Sequence, residues 1–422
     1  MRHTLLWADP PTAARPARAH TASVAVTAGP PGSGALCAVA GGLQGRRVAA
    51  DILDPVGSGR LAGEIAAHAG VCLDRRARRF PVRAEVLAVA ADEAGRTATN
   101  IDFGGGPVRG AWPARWIHGV PPGARSQDPP LQVHRFDEHT FVLRQSKAMT
   151  YEAPFVYLLF GRDRALLLDT GAVADPRRMP LRATIDGLLA EWLACHPRPD
   201  YSLVVAHTHG HGDHVGGDGQ FAGRPATTVV GREPLAVREF FGFTSWPRQT
   251  VQFSLGGRVL EVTGSPGHHA ASITIFDPWT GFLLTGDSVY PGRLYVSDPA
   301  AFLASLEALA AIARTRPVRA VLGCHIEMTR TPGRDYPIGT RYQPDEPPLA
   351  MTVVQLQAVH DAARDTAGRP GVHVFDDFAI YNGRCVFGMT RQLLRWAAQT
   401  TRQRLRPVIA ERPGRTEAGL GR

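Results

Sequence analysis

The segment His207-Thr208-His209-Gly210-His211-Gly212-Asp213-His214 concentrates four of the chain's 16 histidines and one aspartate. Thr208, Gly210 and Gly212 are too small to build an apolar core. They let the backbone fold tightly enough for imidazoles and a carboxylate to converge on one point. Neutral imidazole with carboxylate is the donor set that suits Zn²⁺ or Fe²⁺. A polar surface loop that happens to be rich in histidine is the disfavoured alternative.

The spacing His-x-His-x-Asp-His resembles the metallo-β-lactamase superfamily, and further segments resemble the rest of that family's pattern in the same order. Leu166-Leu167-Leu168-Asp169-Thr170-Gly171 is similar to the strand and turn ahead of the metal loop. Ser265-Pro266-Gly267-His268 is similar to the next histidine loop, and Leu284-Thr285-Gly286-Asp287 to the bridging-aspartate loop. Leu322-Gly323-Cys324-His325 is similar to the loop with the last histidine. The resemblance implies that His209, His211 and His268 hold one metal ion and that Asp213, His214 and His325 hold a second. It also implies that Asp287 bridges the two, with a hydroxide between the ions as nucleophile and Asp213 helping to manage the proton. Chemistry asks for much the same independently. Two ions about 3.5–4 Å apart lower the pKa of a shared water and polarise a carbonyl without a side-chain nucleophile.

Several neighbours need separate readings. Starting the motif at His207 would put His211 where the aspartate belongs, so His207 reads as a supporting or structural histidine. Only one of His268 and His269 can follow Pro-Gly in the family pattern, and His268 is assigned. Asp169 is expected to stabilise the metal loop. Tyr290, Arg293 and Tyr295 sit in the loop after Asp287 and read either as substrate contacts or, more commonly for such residues, as packing.

The ligand set narrows the subclass. Aspartate at position 287 departs from β-lactamases with a cysteine in the second site. His211 departs from flavodiiron oxygen reductases, which have glutamate there. About 50 residues between His214 and His268 are too few for the inserted domain of the family's nucleases. The group resembling hydroxyacylglutathione hydrolases and lactonases remains, which implies hydroxide attack on a thioester or lactone of a small-molecule substrate. Two Zn²⁺ per chain are expected, with Fe²⁺ or Mn²⁺ as substitutes. Alternatives are a persulfide dioxygenase with one Fe²⁺ at the three-histidine position, a β-lactamase or phosphodiesterase, and a non-catalytic binding protein with structural metals.

The elements that must position these residues read as follows. Gln132 to Arg144 is a hairpin, and Phe155–Phe160 and Ala165–Asp169 are buried strands joined by Gly161-Arg162-Asp163. Leu181–Cys195 has helical apolar spacing, and Leu203–Ala206 is the strand that delivers the histidine cluster. Further strands are expected near Thr227–Val230, Thr250–Phe253, Val259–Thr263, Ser272–Phe276, Phe282–Thr285, Ala320–Leu322 and Val372–Phe375. Helices are expected at Pro299–Arg314, Leu349–Thr366 and Thr390–Arg402. The family resemblance implies an α/β fold, the αβ/βα four-layer sandwich. Residues 127–345 form the catalytic core, 346–401 its helical continuation and 402–422 a loose basic tail. Residues 1–126 read equally as a small β-rich domain, with Phe80 to Ile101 its clearest unit, or as a partly disordered extension.

A formal charge of +9 raises the question of nucleic acid or an anionic membrane. It divides into about +6 for residues 1–126, about −1 for 127–401 and about +4 for the tail. The excess lies in the flanks and is nearly all arginine, which argues against a phosphate-binding surface. Cys37, Cys72, Cys195, Cys324 and Cys385 are scattered, odd in number and without a Cys-x-x-Cys pair, a pattern that suits a reducing compartment. Asp9, Pro10 and Pro11 cut short the apolar run Leu5-Leu6-Trp7, and no run approaches the roughly 18 residues that span a bilayer. A cytoplasmic protein with no membrane partner is the expectation.

Overall fold

A computed structural model describes residues 2–7, 20–25, 48–49, 101–113 and 115–383, together with 390, 394 and 397–398. Strands β1 (Arg2–Trp7), β2 (His20–Ala25) and β3 (Val48–Ala49) form an antiparallel sheet in the order β2-β1-β3. The expected hairpin from Phe80 and the tail from Arg402 lie outside the described residues. Among the described residues, no helix is long and apolar enough to cross a membrane.

The core begins with β4 (Leu131–Asp137), β5 (Thr140–Gln145), β6 (Phe155–Phe160) and β7 (Arg164–Leu168), an antiparallel meander. β6 and β7 are buried almost throughout, which is why their sequences FVYLLF and RALLL show no polar alternation. Helix α1 (Leu181–Cys195) leads to β8 (Ser202–Ala206), which runs parallel to β7. The one-turn helix α2 (Gly212–Val215) then precedes β9 (Thr227–Val229), and the first sheet has the order β4-β5-β6-β7-β8-β9.

Helix α3 (Pro234–Phe241) leads into β10 (Thr250–Ser254), β11 (Val259–Gly264), β12 (Ile273–Asp277) and β13 (Phe282–Gly286), again antiparallel. Strand β14 (Arg293–Val296) leaves this sheet. Helix α4 (Pro299–Thr315) brings the chain back as β15 (Ala320–Gly323), parallel to β13. Pro299 opens α4, and Asp298 caps it by accepting from the Ala301 N–H at 3.0 Å. Strand β16 (Ala350–Met351) completes the second sheet, ordered β10-β11-β12-β13-β15-β16.

The two sheets share one core. Phe155, Tyr157 and Leu159 of β6, Leu166 and Leu168 of β7, and Val204 and Ala206 of β8 belong to the same cluster as Leu260 and Val262, Ile273 and Ile275, Phe282 and Leu284, and Ala320 and Leu322. Every second residue of each strand is represented, the period of a pleated strand with one face turned to its partner sheet. The residues between them on β13 and β15, Leu283 and Val321, cluster instead with Phe302, Leu306 and Leu309 of α4. Residues ahead of β4 also lie on this sandwich, Trp116 packing edge-on against Phe155 at 5.0 Å between ring centroids.

One local expectation differs from the observed structure, and a second is met with a one-residue shift. The helix expected from Leu349 starts later, as α5 (Val353–Thr366), because Ala350 and Met351 pair with β15 and Thr352 forms a capping box with Gln355. The strand expected near Val372 is β17 (Gly371–Val374), and it pairs with β18 (Ala379–Asn382) and β14 in a third sheet ordered β14-β18-β17.

Arg258 joins the two main sheets at the end of the sandwich where β6 finishes. Its guanidinium donates to Asp277 at 3.1 and 2.5 Å, to the carbonyls of His139 and Phe160 at 2.8 and 3.1 Å, and to the Thr140 hydroxyl at 3.0 Å. Arg258 is 1% exposed and Asp277 fully buried, so removing one partner strands the other charge in the interior. Arg258→Leu is expected to lower unfolding free energy by about 3–5 kcal/mol, measured by urea denaturation. A loss below about 1 kcal/mol, the range of exposed ion pairs, would show that the cross-sheet contact is dispensable.

Candidate metal centre

All seven expected donors follow strand ends on one side of the sandwich. β8 ends at Ala206 and releases the loop with His209 and His211, and α2 carries Asp213 and His214. Asp287 comes directly after β13, and His325 lies two residues after its parallel neighbour β15. The carboxyl ends of parallel strands are where open α/β sheets collect ligands. His268 stands in the turn between β11 and β12, closed by a Ser265 N–H to Ser272 carbonyl bond of 2.8 Å. Gly286 permits the close approach of the two halves. Its φ is +54°, and a Cβ there would lie 2.6 Å from Thr208 Cβ.

The donors fall into two groups, His209 with His211 and His268, and Asp213 with His214, Asp287 and His325, each with its donor atoms within 4.8 Å of one another. In the first, His211 Nδ1 lies 2.9 Å from His209 Nε2 and 3.0 Å from His268 Nε2. In the second, His325 Nε2 lies 3.3 Å from Asp213 Oδ2 and 3.4 Å from His214 Nε2. Asp287 faces both: its Oδ2 is 3.8 Å from His268 Nε2, and its Oδ1 is 3.4 Å from His325 Nε2 and 3.6 Å from His214 Nε2.

Hydrogen bonds on the far side of three rings settle which nitrogen faces inward with a lone pair. His268 Nδ1–H donates to the Tyr295 carbonyl at 2.7 Å, His325 Nδ1–H to the Glu152 carbonyl at 3.2 Å and His214 Nδ1–H to Asp169 Oδ2 at 2.9 Å. With Nδ1 engaged on the far side, all three rings turn Nε2 inward toward the other donors, an arrangement that a metal ion would complete. Asp287 Oδ1 adds to that demand, since it is buried without a hydrogen-bond partner. The residues fit metal ions.

The electrostatics differ between the two groups. Burial, with His214 nearby, holds His209 well below the usual histidine range, and burial with His268 nearby brings His211 down to about 4. Both stay neutral at physiological pH, the state a metal requires. In the second group burial disfavours charge, but carboxylates and imidazoles offset it for each other. Asp287 and Asp213 raise His325 to about 9, and Asp287 with Asp169 raises His214. Asp213 falls to about 2 through His325 and His214, and Asp287 falls well below the carboxylate range for the same reason.

Asp169 sits beneath this group. It accepts from the Thr208 N–H at 2.7 Å, the Thr208 hydroxyl at 2.9 Å and the Cys324 thiol at 3.2 Å, besides His214. Cys324 is thus a neighbour of the donors on the Asp169 side. His207 points elsewhere, its Nε2 lying 2.8 Å from Asp218. His269 lies outside both groups and rests over Gly210. Tyr290 donates to the Arg293 carbonyl, Arg293 is buried in ion pairs with Glu327 and Asp335, and Tyr295 accepts from Arg293 Nε at 3.1 Å. Tyr290 and Arg293 are thus buried parts of the frame. The sequence reading missed the carbonyls of Glu152 and Tyr295, which no side-chain pattern announces, and Thr208, whose only signal is its place between two histidines. Asp169→Asn keeps the volume but presents an amide donor to a set of donors. It is expected to weaken zinc binding at the Asp213–His214–His325 group by about 10–100-fold, measured by competition with a chelator. Unchanged affinity would remove Asp169 from the site's support.

Residues 150–325 match the family model described as "Metallo-beta-lactamase superfamily". Among curated proteins, a hydroxyacylglutathione hydrolase of Synechococcus sp. (strain JA-3-3Ab) is 29% identical over 223 residues, 50% of this chain and 77% of that protein. One of Anaeromyxobacter dehalogenans (strain 2CP-C) is 28% identical over 222 residues, 50% of this chain and 75% of that protein. Among solved structures, a metallo-β-lactamase from Pontibacter korlensis aligns with TM-score 0.39 and 17% identity, covering 56% of this chain and 99% of that one. The segment that carries both donor groups is thus the part of the chain that matches the metallo-β-lactamase superfamily model.

Proposed function

We propose that this metallo-β-lactamase-fold hydrolase cleaves a small-molecule thioester or lactone at a two-metal centre. The observation that carries the reading is Asp287, whose two oxygens face different donor groups. His209, His211 and His268 would hold one ion, and Asp213, His214 and His325 the other, with Asp287 facing both groups. Two zinc ions per chain are expected, with Fe²⁺ or Mn²⁺ able to take their place. When bound, such a pair would polarise the substrate carbonyl and lower the pKa of a bound water. The chain's own part is to orient and to move a proton. Asp213 is the more exposed carboxylate, its side chain 20% accessible against 8% for Asp287. In this reading it takes a proton from the attacking water and returns it to the leaving thiolate or alkoxide. The thioester is favoured by the relatives named hydroxyacylglutathione hydrolases.

Elemental analysis of purified protein, followed by thioester, lactone, β-lactam and phosphodiester substrates, tests this directly. Two zinc per chain with thioester or lactone turnover is expected, and a chelator should abolish that turnover until metal is restored. One redox-active iron per chain would overturn the reading in favour of oxygen chemistry. Asp287→Ala should lower second-metal occupancy and hydrolysis together, the latter by more than about 100-fold. Full activity with one metal would exclude the two-metal mechanism.

A further inference from the structure

Lys147 is the single lysine among the chain's 47 basic residues, and it is not on the surface. It is 1% exposed, in the loop between β5 and β6, beside Arg144 and Glu346. Arg144 makes a two-pronged pair with Glu346 at 2.6 and 2.7 Å, and Lys147 Nζ lies 3.6 Å from the same carboxylate. Two cations therefore share one buried acid. Arginine cannot shed its charge in such a place, whereas an amine can. Burial and Arg144 bring Lys147 down to about 7.

The amine has a second contact. Lys147 Nζ donates to the Tyr151 carbonyl at 3.2 Å. The next carbonyl, that of Glu152, accepts from His325 Nδ1–H. Thr150 braces the same turn by donating to the Glu152 carboxylate at 2.7 Å. Just beyond it, the Phe155 N–H donates to the Cys324 carbonyl at 2.8 Å, and the Arg144 guanidinium lies over the Phe155 ring at 4.9 Å. The loop that ends in His325 is thus held at Cys324 and at His325 by one short stretch, and Lys147 with Arg144 holds that stretch.

We propose that Lys147 is a positioning residue for the second metal site, fixing the Thr150–Glu152 turn so that the Glu152 carbonyl sets the tautomer and aim of His325. This rests on the two-metal reading above. The amine itself touches neither metal nor substrate.

The test is a zinc titration of the full chain against a chromophoric chelator, with the thermal unfolding midpoint recorded alongside. Lys147→Met keeps the length of the side chain and removes the donor. It should weaken the second zinc about tenfold and leave the first unchanged. Wild-type affinity at both sites would overturn the proposal. So would an equal loss at both sites in step with a lower unfolding midpoint, since that is the mark of general destabilisation. Wild-type protein that takes only one zinc would overturn the two-metal reading itself, and the positioning role with it. If Lys147→Met does not fold, Thr150→Val decides. It removes one brace from the same turn and should weaken the second zinc about threefold without moving the unfolding midpoint; unchanged affinity would overturn the proposal.

Discussion

One buried carboxylate organises the centre. Asp169, at the end of β7, collects an amide and a hydroxyl from Thr208, an imidazole N–H from His214 and a thiol from Cys324. Fully buried, it would be costly without them. With four donors around it, the charge becomes an anchor that draws the β8 loop and the β15 loop to one point. The backbone yields to this demand, for Asp169 adopts a φ of +69°, a left-handed conformation that few non-glycine residues take without compensation. Local backbone strain and buried charge are thus resolved together in the contacts that aim His214.

The arrangement of sheets explains why the donors are complete only in the whole sandwich. The first sheet supplies His209, His211, Asp213 and His214, and the second supplies His268, Asp287 and His325. At the opposite end Arg258 ties the sheets with hydrogen bonds and an ion pair. The two ends are cross-linked by different chemistry, one by a guanidinium that is always charged and one by a cluster of imidazoles and carboxylates.

Much of this was legible in the sequence because it is written at short range. Glycine-spaced histidines declare themselves, and the apolar runs of β6, β7 and β8 mark buried strands. The family resemblance placed His268, Asp287 and His325, although they lie far from the motif in sequence. What could not be read follows from other physics. Strands β14, β16 and β18 are two to four residues long, too short for a periodicity to show, and they exist because partners elsewhere accept their hydrogen bonds. Carbonyl partners such as those of Glu152 and Tyr295 have no residue-type signature. The roles of Tyr290 and Arg293 were open in the sequence because a loop residue next to a ligand can face either way, and only the buried pairing with Glu327 and Asp335 decides.

The division of donors between the sheets also orders events during synthesis. The first sheet leaves the ribosome with its histidine cluster already assembled in sequence, more than 50 residues before His268 and more than 100 before His325. Until the second sheet docks, those imidazoles make at most an open, weakly holding site, since affinity depends on a ligand set that folding alone completes. On the two-metal reading, tight metal binding would therefore require both sheets in place and would follow their docking.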